Sequence, residues 1–358
     1  MSVEQPCYPV LTAQLVKLSI VPKAYVERIG NQRFNQEPMG SGPYKFASIQ
    51  RGVKTTLTRN DAYWGAKGPF PTVEFQPVPD VATRVANLRT GKSDLIVTIT
   101  PDQANELKND ARTKVLSVQS ERVAYFMLNA LTGPTQDLRV RQAIAHAIDK
   151  NAIVTALLGG YDKVSHVIAS PAHVGYAQGF NGYAFDPAKA KALLAQAGDA
   201  ARAEMTLFTS PTFDQRIVTA IHGMLTDVGL KVKITSTDFP NWLKRAQSAP
   251  AEFGEMTFSR WSCGCQDADG IMYPLLHSSS QWAKMKDARM DQALDAARSE
   301  LDTAKRVQHY AEVSKIVEAS VPLVPLYQAA ILYGARKELR WTPTPNESLF
   351  INRMGWDG

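Results

Sequence analysis

Met205-Thr-Leu-Phe-Thr209, an apolar helical pattern from Phe213 to Val228, then Gly229 and Leu230-Lys-Val-Lys-Ile234 decide the fold class. The two flanking runs are short, apolar or β-branched, and bounded by turn residues, as strands are. The stretch between them repeats its apolar residues at helical spacing and stops at a glycine. Strand, helix and strand in that order predict a βαβ unit, the building block of a mixed α/β domain.

Working outward, Asp186-Pro187 predicts a helix start, with Asp as N-cap and Pro at the first helical position, running to Ala197 before Gly198. Further upstream, Val123 to Asn129 reads as a buried strand. Val140, Ile144, Ala147 and Ile148 after Asp137 share one helical face, and a second helical pattern runs from Ile153 to Leu158. The region before that is richer in strands: Tyr44 to Ile49, Lys54 to Arg59 and Val73 to Val78, separated by turn signals at Arg51-Gly52 and from Gly65 to Pro71. A helix follows Pro79-Asp80 through Val81, Val85 and Leu88, a strand covers Leu95 to Ile99, and a helix begins at Pro101-Asp102. Downstream, Leu294, Ala297 and Leu301, then Val307, Tyr310, Val313 and Val317, mark amphipathic helices that Pro322 and Pro325 are expected to stop. Leu326 to Tyr333 is strand-like. The chain therefore reads strand-rich, α/β, strand-rich, without internal repeats.

A length of 358 residues exceeds what one core organises, so two domains are expected. With 44% hydrophobic and 21% charged residues the composition is that of a globular chain and excludes global disorder. The net charge is +6 and the isoelectric point about 9.1. Its cations are interspersed with acids, as in Lys284-Met-Lys-Asp-Ala-Arg289, and no basic run carries interleaved aromatics, so nucleic acid is not an expected partner. No run approaches the roughly 20 apolar residues of a membrane span, and Met1 to Cys7 does not read as a secretory leader. Cys7, Cys263 and Cys265 make no disulfide framework.

Pro38-Met-Gly-Ser-Gly-Pro-Tyr-Lys-Phe46 is similar to a Pro-x-Gly-Thr/Ser-Gly-Pro-Tyr signature, and Arg59-Asn-Asp-Ala-Tyr-Trp-Gly65 to an Arg-Asn-x-x-Tyr-Trp one. Phe126-Met-Leu-Asn129 and Asp137-Leu-Arg-Val-Arg-Gln-Ala-Ile-Ala-His-Ala-Ile-Asp-Lys150 resemble a hinge strand and the helix behind it. In this order the four motifs resemble family 5 of the extracellular solute-binding proteins, the dipeptide-, oligopeptide- and nickel-binding components of ABC importers. The resemblance implies an α/β, two-lobed periplasmic binding protein-like fold (type II, cluster C) of mixed sheets with helices. Lobe one would hold residues 1–123 and 325–358, lobe two residues 124–324, with hinge crossings near 123–129 and 323–327. It also implies that lobe one is incomplete, because members carry further N-terminal residues; the chain is then a fragment or a shortened form. The implied location is the periplasm and the implied partners are a small solute, peptide-like or other, and an ABC permease. Membrane association would come only through that permease or a missing lipid anchor.

The same resemblance singles out Phe258-Ser-Arg-Trp-Ser-Cys-Gly-Cys-Gln-Asp-Ala-Asp-Gly270 as a cleft loop. Trp261 matches a family tryptophan that offers a flat apolar wall, and Asp267 a family acid six positions on. Ser262, Cys263, Gly264 and Cys265 complete the expected ligand-binding stretch, with Asn129 at the hinge. Peptide-binding members place an Asp three residues after the tryptophan, to pair with the α-amino group. Gly264 stands there, which argues against free-amino peptides.

Other readings of these residues are weaker. Cys263 and Cys265 with Asp267, Asp269 and His277 offer metal-ligand atoms, but Cys-x-Cys lacks the second spaced pair of a zinc motif, so no metal is expected. A disulfide between the two cysteines is disfavoured because the ring is small. Ser262, His277 and Asp267 can be drawn as a triad, but no Gly-x-Ser-x-Gly elbow supports it, and no phosphate- or dinucleotide-binding glycine loop is present. Neither catalysis nor a cofactor is expected, and His146 reads as structural.

Overall fold

A computed structural model describes residues 18–357, and Cys7 lies outside them. Its strands are β1 (Tyr44–Gln50), β2 (Lys54–Arg59), β3 (Thr72–Phe75), β4 (Leu95–Val97), β5 (Thr113–Leu128), β6 (Lys163–Val164), β7 (Glu204–Thr209), β8 (Lys231–Ser236), β9 (Met256–Trp261), β10 (Leu323–Arg336), β11 (Leu339–Arg340) and β12 (Gly355–Trp356). The chain forms two compact units, one of Gln119–Ala330, the other of Leu18–Val118 with the stretch from Ile331 onward. It passes between them twice, inside β5 and inside β10. The divisions come at 118/119 and 330/331, a few residues outside the stretches 123–129 and 323–327 named from the sequence. Local hydrogen bonds account for the difference: Ser120 Oγ donates to Ala329 O, and Gln328 Nε2 to Ser120 O, tying both stretches into the larger unit.

In the larger unit the strand order is β10-β5-β9-β7-β8, with β6 on β10. The βαβ unit is β7, the helix Gln215–Asp227 and β8, with β7 parallel to β8 from Glu204↔Lys231 to Thr209↔Ser236. Asp214 caps that helix at Arg216 N, and Ile217, Val218, Ile221 and Leu225 form its buried stripe. The central strands β5 and β9 run antiparallel, from Val123↔Trp261 to Leu128↔Met256. Phe126 and Phe258 on them, and Phe208 on the neighbouring β7, are fully buried, as strands covered on both faces require. Met256 to Trp261 is thus a core strand, where the sequence resemblance places a loop from Phe258 on. Pro325, expected to act as a stop, lies near the start of β10 instead.

The smaller unit holds the antiparallel sheet β1-β2-β3, the β11-β12 pair, and β4 against the far half of β10 through Tyr333↔Val97 to Ala335↔Leu95. Its helices Val81–Arg89 and Pro101–Lys108 are capped by Asp80 and by a capping box at Thr100 and Gln103. Among the described residues no helix is long and apolar enough to cross a membrane.

Candidate functional site

Strand β9 carries the chain to Trp261 at the mouth of a cavity of about 390 Å³ within the larger unit. Arg260 and Ser262 are exposed there, and Trp261 is half-buried. Trp261 is fixed rather than loose: its indole Nε1 donates to Gly270 O at 2.8 Å, and its ring meets Trp282 edge-on at 5.0 Å between centroids. Phe213, Phe239 and Trp242 build the rest of the wall. Phe239 stacks on Trp242, Phe213 meets it edge-on, and Trp242 Nε1 donates to Thr257 Oγ1 at 3.0 Å. An aromatic wall held by hydrogen bonds at its edges costs little ordering when a solute arrives.

Two cations, Arg122 and Arg260, line the same cavity. Arg260 acts electrostatically on the Asp162 carboxyl, which burial nevertheless pushes up to about 6. Asp162 also accepts Ala330 N–H at 2.9 Å. A larger cavity of about 940 Å³ lies in the smaller unit, along β3 and β4 and the 349–356 stretch. Its lining combines Phe70, Phe75, Met354 and Trp356 with the charged Glu74, Arg84, Lys92 and Asp94. The smaller cavity is set apart by its five aromatic rings, packed on one another beside Arg122 and Arg260.

After Trp261 the chain reverses. Cys263 and Cys265 form a disulfide, correcting the expectation that their spacing disfavours one. Their Cα atoms are 5.1 Å apart, within the usual range for a bridge, because Gly264 at φ +67° and Gln266 at φ +52° turn the backbone sharply. The buried Glu121 carboxylate accepts the backbone N–H groups of Gly264 and Gln266 and so holds this turn from the side of β5.

Two residues expected at the solute site are buried and bonded elsewhere. Asp267 is completely buried, and both of its oxygens bind the guanidinium of Arg306 at 2.8 Å. Asn129 is also fully buried. Its Nδ2 lies 2.7 Å from Thr132 Oγ1, Pro250 O and Gly254 O, and its Oδ1 accepts from Leu131 and Thr132, so it organises the turn after β5. The drawn triad and the drawn metal group are dispersed as well. Asp269 pairs with Arg298 at 2.7 Å, while His277 lies against Asp295 at 3.5 Å and bonds Ser279. Asp-x-Asp is therefore an anchor for the helices Ala288–Ser299 and Thr303–Ser320, which carry those two arginines.

Residues 2–283 match the family described as bacterial extracellular solute-binding proteins, family 5, middle. The chain belongs to that family. Among family 5 relatives it is 25% identical over 337 residues to the dipeptide-binding protein of Escherichia coli K12, covering 90% of this chain and 62% of the relative. It is 27% identical over 307 residues to heme-binding protein A of Haemophilus influenzae, covering 82% of this chain and 55% of that protein. The chain thus spans about three fifths of the length of these relatives. The solved structure of the binding protein AgaA from A. tumefaciens R10, in complex with agropinic acid, superposes with a TM-score of 0.78 at 26% identity, covering all of this chain and 75% of AgaA. Such structures confirm the mixed α/β fold of periplasmic binding proteins.

Within this family 5 chain, the structure brings together Trp261 and Ser262 of the expected stretch and places Cys263, Gly264 and Cys265 in the adjoining turn. Arg122, Phe213, Phe239, Trp242 and Trp282 had no local signal, because they come from four separate stretches of chain, with Phe239 and Trp242 sharing the helix Phe239–Ala246. Arg260, next to the singled-out tryptophan, is legible only once β9 is seen to end there.

Proposed function

We propose that this chain captures a small solute, peptide-like or other, that carries a carboxylate beside an apolar or aromatic portion, and passes it to the permease of an ABC importer in the periplasm. One observation carries the reading: Arg122 and Arg260 share a cavity with a wall of fixed aromatic rings. Guanidinium groups pair with carboxylates through charge-assisted hydrogen bonds, and the rings bury apolar surface. Relatives described as binding dipeptides and a solved relative holding an acid agree with such a ligand. Gly264 supplies no carboxylate for an α-amino group, so that end of a peptide gains nothing here. His277 lies against Asp295 and Asp267 is paired with Arg306, so the drawn triad is not assembled.

The test is calorimetry with matched peptide-like acids, their C-terminal amides and their N-acetylated forms. Acids are expected to bind at least tenfold better than amides, with N-acetylation nearly neutral. Equal binding of acid and amide would remove the role given to the arginines.

A further inference from the structure

Beside the disulfide lies a cluster that solute capture does not use. Glu121, His173 and Cys263 place a carboxylate oxygen, an imidazole nitrogen and a sulfur within 4.8 Å of one another. His173 Nε2 and Cys263 Sγ are each 4.0 Å from Glu121 Oε2. The His173 side chain is fully buried, and Nε2 has no hydrogen-bond partner. A buried nitrogen left unsatisfied beside a carboxylate and a sulfur needs a reason. Sulfur, imidazole and carboxylate form the donor set that zinc prefers, and tetrahedral ligands about 2.0–2.3 Å from the ion sit closer together than this cluster does by about 0.5–1.5 Å.

We infer that reduction of the Cys263–Cys265 disulfide opens a zinc-type cation site made by Cys263, Cys265, His173 and Glu121. The disulfide occupies both sulfurs in the oxidised state and closes the site. A phosphine reductant delivers two electrons: the S–S bond breaks, the phosphine becomes its oxide with the oxygen of a water molecule, and that water's two protons pass to the new thiols. Those protons are released when the thiolates bind the cation. His173 Nδ1 lies 3.0 Å from both the N–H and the hydroxyl of Ser170. Nδ1 accepts the Ser170 N–H, and together with the hydroxyl contact this fixes the ring with Nε2 on the side of Glu121 and Cys263.

The site has a built-in reporter. Gly270 packs so closely on both sulfurs that a side chain there would collide with them, and its carbonyl holds the Trp261 indole. A change at the sulfurs therefore reaches Trp261 through one residue.

The experiment uses the full chain with Cys7→Ser as background, so that the third thiol does not count. Zinc is titrated before and after treatment with a phosphine reductant, with bound metal measured by elemental analysis and tryptophan fluorescence followed in parallel. One zinc per chain after reduction, none before it, and a fluorescence change on loading are expected. His173→Gln and Cys263→Ser should each weaken binding at least tenfold, and Ser170→Ala less so, with circular dichroism showing that each variant is folded. Zinc binding that is equal in oxidised and reduced protein, absent in both, or unchanged in folded His173→Gln would overturn the proposal.

Discussion

Arg306 and Asp267 meet through two parallel 2.8 Å hydrogen bonds with both side chains completely buried. The guanidinium is satisfied further by Ala297 O and by the Tyr310 hydroxyl, and the carboxylate by Asp269 N–H. Removing one partner strands a charge without solvent, which costs about 3–5 kcal/mol, while replacing both with apolar residues costs much less. Urea unfolding of Arg306→Met should show a loss of that size, and Asp267→Leu combined with Arg306→Met should recover a large part of it. A single variant as stable as the parent would show that the pair does not hold the helices to the turn.

The aromatic pocket predicts distinct effects for its two kinds of residue. Trp261→Ala should weaken whichever solute binds by about 1–3 kcal/mol through lost apolar contact. Arg260→Gln should weaken a carboxylate-bearing solute by about 1.5–3 kcal/mol and leave its amide unaffected. Met354→Ala in the larger cavity serves as control and should leave affinity unchanged. Calorimetry reads all three, and an effect confined to Met354 would move the site to the other unit.

Asp162 makes stability depend on pH. Its folded pKa of about 6 lies above the ordinary 3.8, because burial disfavours the carboxylate. Its contribution is therefore full below pH about 4 and is lost as pH rises through about 6. Asp162→Asn keeps an acceptor for Ala330 N–H and cannot ionise. It should stabilise the protein by about 1–3 kcal/mol at pH 8 and by little at pH 4. Thermal melts at the two pH values check the sign, and equal gains at both would refute the titration.

Gly175 has φ +93°, and a Cβ there would lie 2.6 Å from the Tyr310 ring and 3.2 Å from Ala268 Cβ. Its neighbour Val174 pairs with the turn, donating to Gln266 O and accepting from Ala268 N. Gly175→Ala thus combines a left-handed backbone with overpacking and should cost at least about 2 kcal/mol. Gly179→Ala is the comparison: its φ is +91° but its surroundings are open, so it should cost less. A smaller loss at Gly175 than at Gly179 would contradict the packing argument.

Local chemistry was enough to set the elements and the family. Alternating or continuous apolar runs gave β1, β2, β7 and β8, because strand periodicity is carried within six residues. Aspartates at 80, 137 and 186 marked helix starts, because a cap acts on the backbone two or three residues away. Trp261 was legible from its motif. Tertiary structure alone decided what the neighbouring polar residues do. Asp267 reads as a loop acid until Arg306, 39 positions later, is seen to bury it. Asn129 reads as a hinge contact until Pro250 O and Gly254 O are found beside it. The two arginines and five aromatic rings of the pocket are gathered from five stretches between Arg122 and Trp282, and the Glu121–His173–Cys263 cluster from three. Burial and pairing are set by partners distant in sequence, and no local pattern encodes them.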